Sequence, residues 1–360
     1  MNMNYALRID KLRQKLNKYS IDAMFVSSPQ NCMYMSGFTG TSGFLFISQY
    51  GQYLFTDFRY AEQAKQETHS YEIIETKSKS FAELKKLVDK QNIISLGFES
   101  HKLSYDKYNE ISGILQGIKL CPTDKIIESI REIKDKEEIR SIQTAAQIAS
   151  AVFDSIIKMI KPGVAENEIA AELEYLMKKY GAKDRAFNTI VASGKRSSMP
   201  HGTATNKKIE MNDVVVLDYG AEYQGYCSDI TRTVFVGDTI KEFEKIYKIV
   251  LEAQLEALQN IKPGVPGKNI DEISRNIISK YGYGEYFGHG LGHGVGIEVH
   301  ETVKLSPCSD TILQENMVVT VEPGIYLADK GGVRIEDTVV VTHDGVKLLT
   351  DAPKNSIVIV

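Results

Sequence analysis

Ile160-Lys161-Pro162-Gly163-Val164 recurs unchanged as Ile261-Lys262-Pro263-Gly264-Val265, and Lys179-Tyr180-Gly181 recurs as Lys280-Tyr281-Gly282, each displaced by 101 residues. Around both copies the order is the same: a helical pattern, a Pro-Gly break, a second helical pattern and a glycine. Strand-like runs follow. Asn212 stands six residues before Asp218 at the end of one apolar run, and Asn316 stands six before Glu322 at the end of another. Lys-Pro-Gly-Val alone is a common helix-ending turn, so the inference rests on the matches keeping their order. They mark an internal duplication in which a carboxylate answers a carboxylate.

The 360 residues suggest two domains at a prior of about 150 residues each. Before the duplicated part, Leu7, Ile9, Leu12 and Leu16 recur at helical spacing between Tyr5 and Tyr19. Short apolar runs such as Ala23 to Val26, Phe44 to Ser48 and Gln52 to Thr56 then alternate with Gly and Ser turns and read as strands. The pattern breaks near Cys121-Pro122-Thr123-Asp124, and a long charged amphipathic stretch runs from Ile133 toward Ile160. The expected division is therefore 1–124, a mixed α/β domain, and 125–360, a duplicated one, an α/β (α+β) protein throughout.

Lysine and arginine total 43 against 47 acidic residues, a formal charge of −4 with no long block of one sign, which argues against nucleic acid or an anionic membrane as partner. Met1 to Ile9 has no apolar core with a small-residue cleavage site, and nowhere do about 18 apolar residues run together. A soluble, cytoplasmic protein is expected. Cys32, Cys121, Cys227 and Cys308 form no Cys-x-x-Cys pair and are read as reduced thiols.

Val214-Val215-Val216-Leu217 reads as a buried strand ending at Asp218, and Thr231 to Val236 as a second one just after Asp229. A two-residue loop at Tyr223-Gln224 would set Asp218 directly opposite Asp229, with Cβ atoms roughly 4.5–5.5 Å apart. Such a pair repels and loses hydration, a cost that a divalent cation removes. For either aspartate alone a capping or turn role would be the ordinary explanation. In the second copy Met317 to Val321 leads to Glu322, and a strand Val333 to Val341 contains Glu336, joined through a hairpin permitted by Gly331 and Gly332. Arg334 precedes Glu336 by two and shares its face.

Three of the seven histidines fall in the glycine-rich segment Gly288 to His300. Glycine at alternate positions suits a strand squeezed against a metal site. Neither G-x-G-x-x-G nor a phosphate-binding P-loop is present, the residue four after His300 is Lys304 instead of the second histidine of a zinc-peptidase helix, and no G-x-S-x-G elbow occurs.

Asp218, Asp229, His293, Glu322 and Glu336, with the phrases Gly292 to Glu301, Val321-Glu322-Pro323-Gly324-Ile325-Tyr326 and Gly331 to Asp337, resemble the pita-bread metallopeptidases, and within them the X-prolyl aminopeptidases and prolidases. Residues 1–124, including Thr56-Asp57-Phe58-Arg59-Tyr60, are similar to the smaller domain of that family. The resemblance implies that these five residues bind two divalent metal ions per chain, with Asp229 and Glu336 bridging and His293 and Glu322 on one ion. It also implies accessory roles in substrate binding for His201, His289, His300 and Arg334, with His201, His300 and Glu322 taking part in catalysis.

An oxygen-rich set with one imidazole suits Mn(II), with Co(II) or Zn(II) also able to bind. The implied reaction is hydrolysis of the Xaa-Pro bond of short peptides with a free amino terminus by a metal-bridging hydroxide, with His300 and His201 donating to the oxyanion and Glu322 relaying the proton. The resemblance further implies that the smaller domain closes one end of the cleft and that the protein is a homodimer. Aminopeptidase and dipeptidase share this ligand set. Methionine aminopeptidase activity and a non-catalytic peptide-binding role are the alternatives.

Overall fold

The computed structural model describes residues 4–68, 70–76, 81–238, 240–355 and 358–360, so the segment Met1 to Ile9 is seen only from Asn4 onward. Two compact units are present, Met1–Arg131 and Glu132–Val360. In the first, Asn4 caps the helix Tyr5–Lys18, which buries the stripe Ile9, Leu12 and Leu16. The strands expected from the apolar runs form with the expected bounds, Ala23–Val26, Phe44–Ser48 and Gln52–Thr56. They lie in a six-stranded sheet ordered Glu72–Glu75, Gln52–Thr56, Phe44–Ser48, Ala23–Val26, Ser95–Glu99 and Lys119–Thr123.

The break expected at Cys121–Asp124 falls instead on the last strand of this sheet, which pairs in parallel with Ser95–Glu99. Pro122 is tolerated there because the strand lies at the sheet edge, where a missing N–H leaves no ladder bond unmade. The unit ends only after the short helix Glu128–Arg131.

The second unit is built twice from the same parts. Its first copy holds the helices Lys136–Ile156 and Glu166–Lys179, the second Lys241–Asn260 and Gly267–Lys280. Asp135 and Glu138 form a reciprocal capping box that starts the first of these helices, and Ile142, Ala145, Ala149, Val152, Phe153 and Ile156 bury one face of it. Equivalent turns match bond for bond. Gly163 (φ 94°) donates to Ile209 O at 2.9 Å, and Gly264 (φ 88°) donates to Leu313 O at 2.8 Å. Asn212 and Asn316 both have φ 68°, and their N–H groups reach Val236 O and Val341 O at 2.8 and 2.9 Å.

Each copy supplies one main sheet and one apolar core. The first sheet runs in the order Val358–Ile359, Ile230–Phe235, Val214–Tyr219, Ile190–Ser193; the second in the order Glu301–Leu305, Gly292–Gly294, Val318–Val321, Asp337–Val341, Val346–Leu348. The first core includes Ile169, Leu173, Val215, Leu217 and Val234, and the second Ile246, Val250, Ile270, Val319, Val321 and Val339. The bridge from Thr231 to Glu336 joins the two ladders.

Behind that bridge lies a buried ionic network. Asp337 meets Arg232 Nη2 at 2.7 Å, accepts from Thr350 Oγ1 and Gln254 Nε2 at 2.8 Å each, and is paired with Lys354 Nζ. Arg232 also donates to Ala352 O and to Glu336 O. Asp337→Ala strands two buried cations, and the expected loss is about 3–5 kcal/mol. Urea unfolding of the chelated protein measures it, and an unchanged midpoint would contradict this account of the network.

Candidate active site

Residues from both copies converge because their hairpins meet at Thr231. In the first copy the turn is Gln224-Gly225, both with positive φ (50° and 81°), closed by the Tyr223–Tyr226 pair. This corrects the expected loop at Tyr223-Gln224: a two-residue hairpin of this kind needs φ > 0 at both central positions, and Gly225 provides the second without strain. The register moves with it, so Asp218 opposes Thr231 and not Asp229. Because Asp229 and Thr231 are two residues apart, the aspartates still share a face, as diagonal neighbours.

In the second copy Val321 opposes Asp337 and Gly324 opposes Arg334, and continuing that register sets Glu322 opposite Glu336. The turn is Ala328 to Lys330, with Asp329 at φ 59°, and not Gly331-Gly332, which belong to the strand Gly331–Arg334. The expected continuous strand Val333 to Val341 is interrupted at Ile335-Glu336. There the backbone N–H of Glu336 turns away to donate to Thr231 O at 3.1 Å. Asp218, Thr231 and Glu336 therefore lie in one row across the two copies.

All five expected ligands line one cavity of about 530 Å³, together with His201, His289, His300 and Arg334. Asp229, His293 and Glu336 each offer a ligand atom within 4.8 Å of the others. His293 Nδ1 donates to Gly294 O at 3.2 Å, which aims Nε2 at Glu322 Oε1 (3.2 Å) and Asp229 Oδ2 (3.7 Å). Gly292 beside it is required by packing, since a Cβ there would run into Thr320 O.

Several partners escaped the sequence reading. Thr231 Oγ1 donates to Glu336 Oε2 at 2.6 Å and accepts from Arg334 Nε at 3.1 Å. Thr320 Oγ1 donates to Glu322 Oε1 at 3.1 Å and accepts from His293 N. Tyr326 joins Arg334 Nη1 and His289 Nε2, both at 2.9 Å. Strand alternation from Glu322 and Asp229 was the available signal for the two threonines; nothing local distinguished Tyr326.

The charge balance shows what the cluster lacks. Arg334 Nη2 donates to Asp218 Oδ2 at 2.6 Å, yet Asp218 Oδ1, Asp229 Oδ1 and Glu336 Oε1 are buried with no hydrogen-bond partner. Burial pushes all three carboxyl groups up in pKa, well up for Asp229 and Glu336; neighbouring carboxylates add to it, while Arg334 opposes it. For Glu322, burial is outweighed by the hydrogen bond and charge of His293, and its carboxyl lies below the usual range. Partnerless carboxylate oxygens around an imidazole nitrogen are the donor set that divalent cations fit.

The chain belongs to metallopeptidase family M24.

That family model matches residues 140–343, and the creatinase/prolidase N-terminal domain matches residues 8–133. The chain is 43% identical to an Xaa-Pro dipeptidase of Pyrococcus horikoshii, over 97% of this chain and 98% of that one. Among solved structures it is similar to an Xaa-Pro dipeptidase from Bacillus anthracis (TM-score 0.97, 44% identity, 99% and 100% covered). It is also similar to an X-Pro aminopeptidase from Thermotoga maritima MSB8 (TM-score 0.90, 43% identity, 98% and 99% covered). As an M24 protein it is a metallopeptidase served by divalent metal.

The accessory histidines His201, His289 and His300 sit on loops. His300 packs its ring 4.2 Å from that of His293, and burial, with the nearby charges of His293 and Lys304, pushes its pKa down to about 4. It is thus neutral at pH 7, with one ring N–H to offer. The loop before it is tied down by Glu301, which accepts from Ile297 N at 3.1 Å and pairs with buried Lys134 at 3.0 Å. His289 has both nitrogens engaged, Nδ1 with Gly290 O at 2.8 Å and Nε2 with Tyr326.

The raised carboxyl groups set the pH behaviour of the metal-free protein. A folded-state pKa above the unfolded value means that the native state binds more protons at these three groups, so their contribution to stability is greatest below the ordinary carboxylate range and is lost as pH rises toward the folded pKa values. Chelated protein is therefore expected to lose melting temperature as pH rises above about 4, while metal-loaded protein does not. Parallel thermal scans across pH with and without chelator check this; identical curves would contradict it.

Proposed function

We propose that this chain is a dinuclear Xaa-Pro peptidase acting on short peptides with a free amino terminus, with Xaa-Pro dipeptides as the preferred substrate. The observation that carries it is the set of three buried carboxylate oxygens without partners, aimed into one cavity with His293. Asp218, Asp229, His293, Glu322 and Glu336 would hold two divalent ions, and the oxygen-rich set favours Mn(II). When bound, the ions would supply Lewis-acid polarisation of the scissile carbonyl and an attacking water of lowered pKa.

The chain's own residues do the rest. His300, neutral at pH 7, and His201 donate hydrogen bonds to the oxyanion as the carbonyl becomes tetrahedral. Glu322, held low while the cavity's other three carboxyls are raised, takes the water's proton and returns it to the leaving nitrogen. Arg334 steadies Asp218 through Nη2, and His289 offers the substrate its ring, its two nitrogens being committed within the protein. The Xaa-Pro nitrogen carries no hydrogen and its ring restricts φ, so a site that attacks the carbonyl without gripping that N–H suits this bond.

Dipeptide preference is supported by the relatives named as Xaa-Pro dipeptidases and by Lys304 in the cavity wall, a cation of the kind a free proline carboxylate would meet. A second reading, an X-prolyl aminopeptidase, is favoured by the similarity to the Thermotoga maritima enzyme. In the same proposal the second unit, Glu132–Val360, carries the chemistry, the first, Met1–Arg131, acts as the accessory domain, and the protein is a cytoplasmic homodimer. The four cysteines are all free, and no helix among the described residues is long and apolar enough to cross a membrane.

Hydrolysis of a panel of Xaa-Pro, Xaa-Pro-Xaa and Met-Ala peptides by manganese-loaded protein tests the assignment. Xaa-Pro turnover is expected to vanish on chelation and to fall in Asp229→Ala beyond the roughly 10–100-fold typical of outer partners of metal ligands. Turnover surviving both would overturn the mechanism, and Met-Ala cleavage without Xaa-Pro cleavage would overturn the substrate class. Lys304→Met is expected to raise KM for Xaa-Pro more than for the corresponding Xaa-Pro amide, which has no terminal carboxylate; equal changes would remove this support for dipeptide preference.

A further inference from the structure

Glu166, the first residue of the helix Glu166–Lys179, has no solvent exposure at all. Its carboxylate is spent on one loop. Oε1 accepts from Ser193 N and Ser193 Oγ, both at 2.8 Å; Oε2 accepts from Thr205 N at 3.1 Å and Thr205 Oγ1 at 2.8 Å; Arg196 Nε meets Oε2 at 3.1 Å. Ser193 is the last residue of the strand Ile190–Ser193, and Thr205 lies where the chain returns. One carboxylate thus fastens both ends of the segment that carries His201.

Arg196 extends this hold into the loop. Its Nη2 donates to Thr203 O at 2.6 Å, and Thr203 N donates to His201 O at 2.9 Å, so three consecutive bonds run from the buried carboxylate to the backbone of His201. His201 itself is exposed on the cavity wall. An exposed side chain can donate to a developing oxyanion only if its backbone is held, because a displacement of about 1 Å can cost about 10²-fold in rate.

We propose that Glu166 is a positioning residue for His201, acting through the Ser193–Thr205 loop and through Arg196. The proposal rests on the role given to His201 above. Replacement by glutamine keeps the volume but presents an NH₂ to donors that need an acceptor, so one end of the loop is released.

The test is a double-mutant cycle on the metal-loaded enzyme with an Xaa-Pro dipeptide, with His201→Ala, Glu166→Gln and Arg196→Gln measured singly and in combination. His201→Ala is expected to lower kcat about 10²-fold. Glu166→Gln is expected to lower kcat about tenfold with KM changed less than about twofold, and this loss should largely disappear in the His201→Ala background. Arg196→Gln, at a partly exposed position, should show the same pattern more weakly and carries the test if Glu166→Gln does not fold.

The outcomes separate the two claims. An unchanged kcat in His201→Ala overturns the role of His201. A normal His201 effect, with Glu166 or Arg196 losses that multiply in full with it, overturns the positioning role and leaves Glu166 merely structural.

Discussion

Four carboxylates crowd the second unit's cavity, and among the described residues three of them have an oxygen that no protein group satisfies and one guanidinium, that of Arg334, faces them. Two unit charges about 4 Å apart repel by about 4 kcal/mol at an effective dielectric constant of 20, and burial removes the water that would soften this. Arg334 gives its Nη2 bond to Asp218, and among the described residues no lysine or arginine side chain bonds the carboxylate of Asp229 or Glu336. The repulsion has to be overridden by something strong and apolar. The strands behind the cluster supply it: Val215, Leu217, Val319, Val321 and Val339 are fully buried and fix the backbone from which the acids project.

Duplication is what makes so unfavourable a gathering possible. A single hairpin can bring two acids to one face, but a metal site needs ligands from several directions. The bridge between Thr231 and Glu336 seats an acid of the second copy beside the partner strand of the first, and Arg232, bonded to the carbonyls of Thr231 and Glu336, locks that junction from behind. Thr231 has a small side chain, a donor for Glu336 and an acceptor for Arg334, and it holds the acids in one row without adding charge.

Much of this was legible in the residues. Buried strands announce themselves as short apolar runs, and Val214 to Leu217 ends where the acid must stand. Register was not legible from apolar pattern alone, because any even slip leaves the same faces buried. Gln224-Gly225 decides it, since only a glycine meets the second positive φ cheaply. Gly331-Gly332 misled for the opposite reason. Those glycines answer close packing against Ser197, and a pair of glycines in sequence looks alike whether it makes a turn or admits a neighbour. The first unit's end was hidden similarly, Pro122 marking a sheet edge where it suggested a linker.

Donor directions in the second layer could come only from the folded chain, and they follow by elimination. Gly290 O can only accept, so His289 Nδ1 carries the hydrogen. Arg334 can only donate, so Tyr326 Oη accepts from it and its own hydrogen goes to His289 Nε2. Burial, with the fields of Glu322 and Asp218 adding to it, pushes the Tyr326 phenol up to about 12, which keeps that hydrogen in place across the working pH range. The chain from Gly290 to Asp218 is thereby polarised in one sense only, and Arg334 cannot swing toward a passing carboxylate without leaving the Tyr326 oxygen short of a donor and Asp218 short of its guanidinium partner. The guanidinium is therefore bound into the scaffold of the acids, whereas the side chains of His201 and His300 stand exposed at the cavity wall.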